Sequence, residues 1–327
     1  MKPGKIARIA AALAGLALPA LAPAQDAAAN WPNRTVRLII PFSPGGSTDF
    51  QGRILCDQMS RAFGQPFVID HKPGAGSNIG VAELARSAPD GYTLGWITVA
   101  SHAINPTLYA KLPFDHIRDF APVSMVGTFP NLLVVHNDLP VRTIPDLIAL
   151  LKKAPGKYAF ASSGQGTSLH LSGEMFKVMT GTDMLHIPYK GGGPALTDVI
   201  GGVVHMTFGN MPTVLAQSKG GKVRAVAVTS AERWVTAPEI PTIAETVPGF
   251  VAMSWHGVAF PAGTPAGIVD KLAAAMHRAL AGAEMQERLA SGGSKATALT
   301  PRQFADYIRE DTERWAPIVR ASGARIE

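Results

Sequence analysis

Three glycine-rich loops contain the residues of this sequence that are best suited to binding an anion. Each loop follows an apolar stretch and leads into a helical pattern: residues 44–49, 162–168 and 189–194. The first turn of a helix has unpaired backbone N–H groups and a partial positive charge, and glycine lets a ligand approach the backbone closely. In parallel sheets such loops lie together at the carboxyl ends of the strands. We therefore expect a carboxylate site that includes Gly45, Ser47, Thr48, Asp49, Ser163, Gly164, Thr167, His170, Tyr189 and Lys190.

Each candidate also has a purely structural interpretation. Gly and Ser are common in any strand-to-helix turn. Asp49 would repel a bound anion, and at i,i+4 spacing it can instead pair with Arg53 on the helix surface. Lys190 can be a solvated surface lysine, and His170 can interact with the helix N-terminus rather than with a ligand. Three loops of the same design nevertheless favour a common binding site over three unrelated turns.

Motifs of common enzyme classes are missing from the sequence. It contains no G-x-S-x-G, H-E-x-x-H, Walker A or C-x-x-C motif, and no pair among its nine His has metal-ligand spacing beside acidic residues. Gly74, Gly76 and Gly80 only loosely resemble a dinucleotide-binding turn, because the spacing is one residue too long. We therefore predict a protein that is not an enzyme and that uses no metal or cofactor. The alternative is a hydrolase with Ser163 and His170 as nucleophile and base.

The first residues have the organisation of an export signal. Three basic residues precede an apolar run over residues 9–21, and Ala22 and Ala24 supply the small residues of a cleavage site. The run is shorter than the roughly 20 residues of a membrane-spanning helix. We predict a signal peptide over residues 1–24 and a periplasmic mature chain from Gln25 that does not itself span a membrane. An uncleaved anchor helix is the alternative.

Removal of the signal peptide leaves 27 basic and 24 acidic residues, since the peptide contains three basic residues and no acidic ones. The resulting net charge of +3 is too small to indicate nucleic-acid binding, and no basic run is interleaved with aromatic residues. A mild positive charge does suit small anionic ligands. The single cysteine, Cys56, cannot form an internal disulfide, and its apolar helical surroundings predict a buried thiol.

Short β-like runs alternate with helical patterns from Val36 onwards, which indicates an α/β fold with mostly parallel sheets. A second series of strand, glycine-rich loop and helix begins at Asn131. Because no flexible linker separates these two similar halves, we predict two interleaved lobes joined by crossing strands. Near the C-terminus, Thr264 and Thr300 each precede a proline, which predicts two helices that begin with a capping hydroxyl.

Seven short segments occur in a characteristic order and spacing along the mature chain: Ile40-Pro-Phe-Ser-Pro-Gly-Gly-Ser-Thr-Asp49, Lys72-Pro-Gly-Ala-Gly76, Asp90-Gly-Tyr-Thr-Leu94, Ser101-His-Ala-Ile-Asn-Pro106, Ala161-Ser-Ser-Gly-Gln-Gly-Thr-Ser-Leu-His-Leu171, Ile187-Pro-Tyr-Lys-Gly191 and Pro261-Ala-Gly-Thr-Pro265. Together they resemble the Bug family, the extracytoplasmic solute receptors of tripartite tricarboxylate transporters. Two positions depart from the usual pattern: Asp70-His71 replaces Glu-Asn, and Gly52 replaces Ala. We expect these departures to affect little beyond local packing.

The resemblance implies a periplasmic binding protein type II fold, in which two lobes close over a ligand. We place lobe 1 at residues 25–129 and 255–327 and lobe 2 at residues 130–254. The resemblance further implies a small organic carboxylate as the ligand and the membrane permease subunits of the tripartite transporter as partners. We predict a monomer without a nucleic-acid partner. A ligand sensor for a signalling partner is the alternative to a transport receptor.

The resemblance also extends the set of candidate ligand residues. It implies that the cleft is lined by the loops after Pro41, Val99, Ala161, Ile187 and Thr207. These loops add Ser101, Asn105 and Asn210 to the candidates. Ligands of the family are often held through backbone amides and bridging water, which agrees with the glycine-rich loops.

Overall fold

The computed structural model describes residues 28–326, so the predicted signal peptide lies outside the described residues. The strands of this part of the chain are β1 (Val36–Ile40), β2 (Phe67–His71), β3 (Thr93–Thr98), β4 (Phe120–Val135), β5 (Ala159–Ser162), β6 (Leu185–Pro188), β7 (Met206–Asn210), β8 (Arg224–Val228), β9 (Met253–Pro261) and β10 (Lys295–Ala296). Its α-helices are α1 (Ser47–Phe63), α2 (Asn78–Ala85), α3 (Asn105–Leu108), α4 (Ile144–Lys153), α5 (Ser168–Thr180), α6 (Gly192–Ile200), α7 (Met211–Lys219), α8 (Ala266–Ala281), α9 (Ala283–Ser291) and α10 (Pro301–Ala321).

Parallel strands form the core of each lobe. In the first lobe β1 lies between β2 and β3 and is parallel to both, with α1 and α2 as the connecting helices. In the second lobe β5 lies between β6 and β7 and is parallel to both, with α5 and α6 as the connecting helices. A helical crossover returns the chain to the end of the sheet at which the first strand began. The two strands that it joins therefore run parallel. The glycine-rich loops therefore lie at the carboxyl ends of these strands.

Two long strands connect the lobes. Strand β4 pairs with β9 from Phe120 to Pro130, and its last residues, Asn131–Val135, pair with β7 and β8. Each antiparallel pair within the described residues includes β4 or β9. The mixed α/β architecture is thus as predicted, but antiparallel pairing is more extensive than the helix-strand alternation suggests. The reason is that strands which pass between lobes meet their neighbours without a helical crossover.

Apolar side chains pack on both faces of each sheet. In the first lobe Leu38, Ile54 and Trp96 lie in one buried cluster together with residues of α8. Cys56 belongs to the same cluster, so the predicted buried thiol is confirmed, and burial raises the pKa of this thiol to about 12. In the second lobe Phe160 packs among buried residues of β4, α4 and α5. Within residues 28–326, no helix is both long enough and apolar enough to cross a membrane.

Only one of the two predicted threonine caps forms. Thr300 accepts a hydrogen bond from Gln303 N, and the Gln303 side chain accepts one from Thr300 N, which confirms the cap of α10. The prediction for Thr264 is wrong, because α8 begins one residue later and has Pro265 as its N-cap. The Thr264 hydroxyl instead donates to the carbonyl of Pro261 at 2.8 Å and closes the turn after β9.

Candidate functional site

The N-termini of four helices meet at a cavity between the lobes. Helices α1, α5 and α6 begin with lining residues Ser47, Ser168 and Gly192, and α7 follows the lining residue Asn210. The cavity encloses about 20 Å³, which is room for about one water molecule. The described residues around it include no Asp, Glu, Lys or Arg: Phe42, Gly46, Ser47, Thr48, Thr98, Val99, Ala100, Ser163, Thr167, Ser168, Gly192, Asn210, Ser254 and His256.

In the first loop, Ser47 and Thr48 line the cavity, whereas Gly45 and Asp49 do not. The Gly45 N–H donates to the Asp49 carboxylate at 3.0 Å, so this amide is already paired. Asp49 also forms the predicted i,i+4 ion pair with Arg53, at 3.1 Å. Burial by itself would raise the pKa of Asp49, but the Gly45 and Arg53 contacts outweigh it and hold that pKa below its usual value. Asp49 thus stabilises the conformation of the first glycine-rich loop through this hydrogen bond and ion pair.

His71 is a further partner of Asp49. Its Nε2 lies 3.1 Å from Asp49 Oδ1 and its Nδ1 lies 2.8 Å from the carbonyl oxygen of Phe42. We expected the Asp70-His71 departure to affect little beyond local packing, and His71 is not among the residues that line the cavity. The imidazole joins β2 to the first glycine-rich loop, because β2 is the neighbour of β1 in the sheet and ends beside that loop. The departure therefore reaches the edge of the cavity.

In the second loop, Ser163 and Thr167 line the cavity. Thr167 is the N-cap of α5, and its hydroxyl donates to the carbonyl of Gly164 at 2.7 Å. His170 lies one turn into the helix, outside the cavity lining, where its Nδ1 accepts from Gly166 N at 3.3 Å. Its ring stacks on His186 with centroids 4.1 Å apart, and burial lowers the pKa of His170 to about 4. A neutral, packed His170 matches its structural interpretation.

Ser163 and His170 do not form a hydrogen bond with each other within the described residues. The close serine-histidine contact of this loop is instead Ser162 Oγ to His186 Nε2, at 2.6 Å. Ser162 is fully buried and also bonds to Gly164, so its hydroxyl is not open to a substrate. The geometry therefore gives no support to the hydrolase alternative.

The third loop contributes Gly192 to the cavity, while Tyr189 and Lys190 lie beside it. The Tyr189 hydroxyl donates to Asp198 at 2.6 Å, and burial together with this bond raises the pKa of Tyr189 to about 12. Tyr189, Lys190 and Gly164 line a neighbouring pocket of about 310 Å³, which shares Phe42 and Ser163 with the main cavity. This pocket therefore lies next to the main cavity.

Ser101 and Asn105 are buried behind the cavity rather than in its lining. The Ser101 hydroxyl lies 3.2 Å from the carbonyl oxygen of Thr98 and 2.8 Å from His102 Nδ1. Asn105 Nδ2 donates to the carbonyl of Gly76 and to Asn78 Oδ1. Both residues hold the loops of the first lobe in place.

Asn210 joins the two lobes. Its Nδ2 donates to Asn131 Oδ1 at 2.8 Å, and its Oδ1 accepts from Ser47 Oγ of the first lobe at 3.3 Å. A second link between the lobes is formed by Ser43 N, which donates to the carbonyl of Lys190 at 2.9 Å. The cavity is therefore closed by direct contacts of Ser43 and Ser47 with residues of the second lobe.

A family of known proteins shares this chain's sequence. The model of the family described as tripartite tricarboxylate transporter family receptor matches residues 52–324. Protein BugT of Bordetella pertussis (strain Tohama I) is 38% identical over 318 residues, which are 97% of this chain and 96% of BugT. The chain belongs to the tripartite tricarboxylate transporter receptor family. The Bug-type resemblance of the sequence is confirmed.

Solved structures of similar proteins confirm the fold of this receptor. The R. palustris protein Rpa4515 with adipate has a TM-score of 0.89 and 36% identity, covering 91% of this chain and 100% of the other. The periplasmic binding protein BugD has a TM-score of 0.87 and 33% identity with the same coverage. The predicted two-lobed binding-protein fold and the predicted role as a solute-binding receptor are therefore correct.

Four polar residues of the receptor's cavity were not among the predicted site residues. Ser168 begins α5, Thr98 ends β3, and Ser254 and His256 lie on β9. The signal for the last two was present, because polar residues two positions apart in an otherwise apolar strand share one face. What could not be foreseen was the pairing of Thr98 with His256 across two strands that are far apart in sequence.

Proposed function

We propose that this receptor binds a small organic carboxylate in the cavity between its lobes and delivers it to the membrane permease subunits of a tripartite tricarboxylate transporter. The observation that carries the proposal is the convergence of four helix N-termini on a cavity whose described lining has no charged side chain. Each of these ends offers backbone N–H groups and a partial positive charge to an anion. The adipate complex of Rpa4515 supports the same ligand class.

Neutral donors are sufficient to hold a carboxylate here. A buried carboxylate without partners would cost several kcal/mol or more, so the cavity has to supply hydrogen bonds to the oxygens. Charge-assisted bonds from backbone amides and hydroxyls are stronger than bonds between neutral groups. Amides and hydroxyls can therefore replace a fixed arginine, and they accommodate carboxylates of different lengths.

The predicted ligand residues divide into three groups in this proposal. Five line the cavity and are proposed to contact the ligand: Ser47, Thr48, Ser163, Thr167 and Asn210. Gly164, Tyr189 and Lys190 line the neighbouring pocket and are proposed to meet the far end of a longer ligand. The remaining five are proposed to hold the loops in position: Gly45, Asp49, Ser101, Asn105 and His170.

The lobes have to separate before a ligand can enter. A cavity of about 20 Å³ is far smaller than any dicarboxylate, and the direct contacts between Ser47 and Asn210 seal it. We propose that lobe 1, residues 25–129 and 255–327, rotates against lobe 2, residues 130–254, about the crossing strands β4 and β9. A ligand that bridges both lobes then favours the closed form.

Calorimetry on the mature chain with mono-, di- and tricarboxylates tests the ligand class. Thr48→Ala is expected to weaken the best ligand about 10-fold, since one hydroxyl in the first turn of α1 is lost. Arg302→Ala, which removes a 94% exposed side chain on α10, is the matched control and is expected to bind normally. Absence of both heat and thermal stabilisation with every acid of the panel would exclude a carboxylate ligand.

Export and transport complete the proposal. We propose that residues 1–24 direct the chain to the periplasm, where it acts as a monomer. Uptake of the bound acid in cells that lack this protein tests the transport role, and restoration by the full-length chain is the control. Unchanged uptake in the deletion strain would instead favour a receptor that reports ligand to a signalling partner.

A further inference from the structure

The floor of the cavity is a polar pair on adjacent strands. Thr98 of β3 lies directly opposite His256 of β9 in the antiparallel register, and Ser254 lies two residues before His256 on the same face. Side chains at directly opposed positions have Cβ atoms about 5 Å apart. All three are deeply buried, with exposed fractions of 3% for Thr98 and 2% for both Ser254 and His256.

His256 is held in one orientation and in one protonation state. Gln51 Nε2 donates to Ser294 Oγ at 2.7 Å, which leaves Gln51 Oε1 to accept from His256 Nδ1 at 2.9 Å. The ring packs edge-on against Trp96 and Phe129, at centroid distances of 5.5 and 4.7 Å. Burial lowers the pKa of His256 to about 3, so the imidazole is neutral at physiological pH.

A neutral imidazole has a single N–H, and here that hydrogen is used by Gln51. Nε2 of His256 is therefore a hydrogen-bond acceptor at the cavity floor, and no described residue donates to it. The hydroxyl of Thr98 is buried without a hydrogen-bond partner among the described residues. Thr98 and His256 thus line the same small cavity from neighbouring strands, and each has a polar side-chain atom without a partner among the described residues.

We propose that Thr98 and His256 form a subsite that recognises a hydroxyl group of the ligand, so that the receptor prefers hydroxycarboxylates. This inference rests on the proposed carboxylate function and specifies its substrate class. A ligand hydroxyl can donate to His256 Nε2 and accept from Thr98 Oγ1, which satisfies both groups at once. In this proposal the helix N-termini bind the carboxylate group of the ligand.

Other ligand groups fit this subsite less well. A carboxylate oxygen has no hydrogen to donate, and it would face the lone pair of His256 Nε2. An ammonium group could donate, but the described lining residues include no carboxylate to balance its charge. A C–H group would leave both polar atoms without partners in a buried site, which is costly. A ligand hydroxyl is therefore the group whose hydrogen-bonding capacity matches Thr98 and His256.

Calorimetry with matched acids tests the inference on the mature chain. The pairs are malate and succinate, 2-hydroxyglutarate and glutarate, and 2-hydroxyadipate and adipate, which differ only in one hydroxyl. We expect the hydroxylated member of the best-fitting pair to bind about 10-fold more tightly or better. Thr98→Val and His256→Phe are each expected to bring the affinity ratio of that pair close to one, whereas Arg302→Ala is expected to preserve it.

The outcomes separate this inference from the proposed function. If the wild type binds acids but does not distinguish the members of any pair, the hydroxyl subsite is refuted and the carboxylate receptor stands. The same conclusion follows if Thr98→Val and His256→Phe weaken both members equally, since the floor would then hold the carboxylate or only support the fold. If no acid binds at all, the proposed function itself fails.

Discussion

The polar side chains that line the cavity are neutral hydrogen-bond donors and acceptors. The charged residues nearby stabilise the loops instead. Ser47, Thr48 and Asn210 present hydroxyl and amide groups to the cavity, whereas Asp49 and Arg53 pair with each other behind it. This separation keeps a fixed carboxylate away from a bound anion. It also explains how an acidic residue can lie within a loop that is suited to anions.

Asp49 is expected to matter for stability through its partners. The Asp49→Ala variant removes the acceptor for Gly45 N, Arg53 and His71, so three interactions of the loop are lost together. We expect the free energy of unfolding to fall by about 2 kcal/mol in urea denaturation. Asp306→Ala breaks an exposed ion pair with Arg309 and is expected to cost less than about 1 kcal/mol. Equal losses in the two variants would show that the Asp49 network adds nothing.

Buried histidines are expected to make the protein sensitive to mild acid. Burial lowers the pKa of His102, His186 and His256 from 6.5 to about 3, and that of His170 to about 4. Between pH 6.5 and about 4 the unfolded chain therefore binds more protons, so the free energy of unfolding falls as the pH is lowered. Each histidine contributes up to about 1.4 kcal/mol per pH unit. Burial raises the pKa of Asp311, so this one carboxyl group has the opposite effect on the pH dependence of the free energy of unfolding.

Urea denaturation at pH 7, 6 and 5 measures this dependence. The expected result is a progressive loss of stability below pH 6.5 with an unchanged m-value. Asp115 and Glu245 do not interfere in this range, because each has a pKa of about 2 and is ionised in both states above pH 5. A free energy of unfolding that stays constant from pH 7 to pH 5 would contradict the account.

Helix α10 shows how a local capping interaction stabilises the beginning of a helix. Its N-terminus is closed by Thr300 and Gln303, which satisfy each other's backbone N–H groups. Thr300→Ala is expected to lower the free energy of unfolding by about 1 kcal/mol, and Thr300→Ser is expected to retain most of it. Thermal and urea denaturation of the two variants measure the difference. A Ser variant as unstable as the Ala variant would show that the capping hydroxyl is not the cause.

Local sequence located the glycine-rich loops and the helices that follow them, but not the first part of β4. The helical pattern expected after residues 44–49 is α1, which begins at Ser47. Strand β4, in contrast, was expected only from Asn131, because Pro122 and Pro130 before it are residues that usually interrupt strands. Pairing with β9, which is remote in sequence, maintains β4 through both prolines. No local pattern contains that information.

Residues of the candidate site were predicted where the strand or helix that positions them was also predicted. Ser47 and Thr48 follow a strand with a clear pattern, Asn210 was implied by the family resemblance, and the structure brings the three together. The floor was missed because Thr98 and His256 are 158 positions apart and meet only through the pairing of β3 with β9. Residues such as Ser101 and Asn105 follow a strand in the same way, but their side chains turn into the protein. Side-chain direction decides their role, and sequence spacing does not reveal it.

At the scale of the whole molecule, the proposed closure of the lobes is expected to depend on glycine at the contact between them. Gly76 has a φ of +59°, and a Cβ there would lie about 2.0 Å from the carbonyl oxygen of Gln165 in the other lobe. Gly64 has a similar φ of +65°, but a Cβ there would meet nothing within 4 Å. The two positions therefore share the backbone strain of an added side chain and differ in the clash.

Gly76→Ala is expected to hold the lobes apart. We expect its affinity for the best carboxylate to fall at least about 10-fold, because the ligand has to work against the clash in order to close the protein. Gly64→Ala is expected to lose about 1 kcal/mol of stability and to keep its affinity. Calorimetry measures the affinities, and small-angle scattering with ligand shows whether each variant closes. A Gly76→Ala variant that closes and binds like the wild type would contradict closure through this contact.

A crystal structure of the mature chain with a bound carboxylate tests the central claim most directly. We predict that the carboxylate oxygens lie within about 3 Å of backbone nitrogens and hydroxyls at the N-termini of α1, α5, α6 and α7, between the two lobes. We also predict that no Lys or Arg side chain reaches the carboxylate there. A ligand held by a Lys or Arg ion pair, or bound outside this cavity, would contradict an anion site made of neutral helix N-termini.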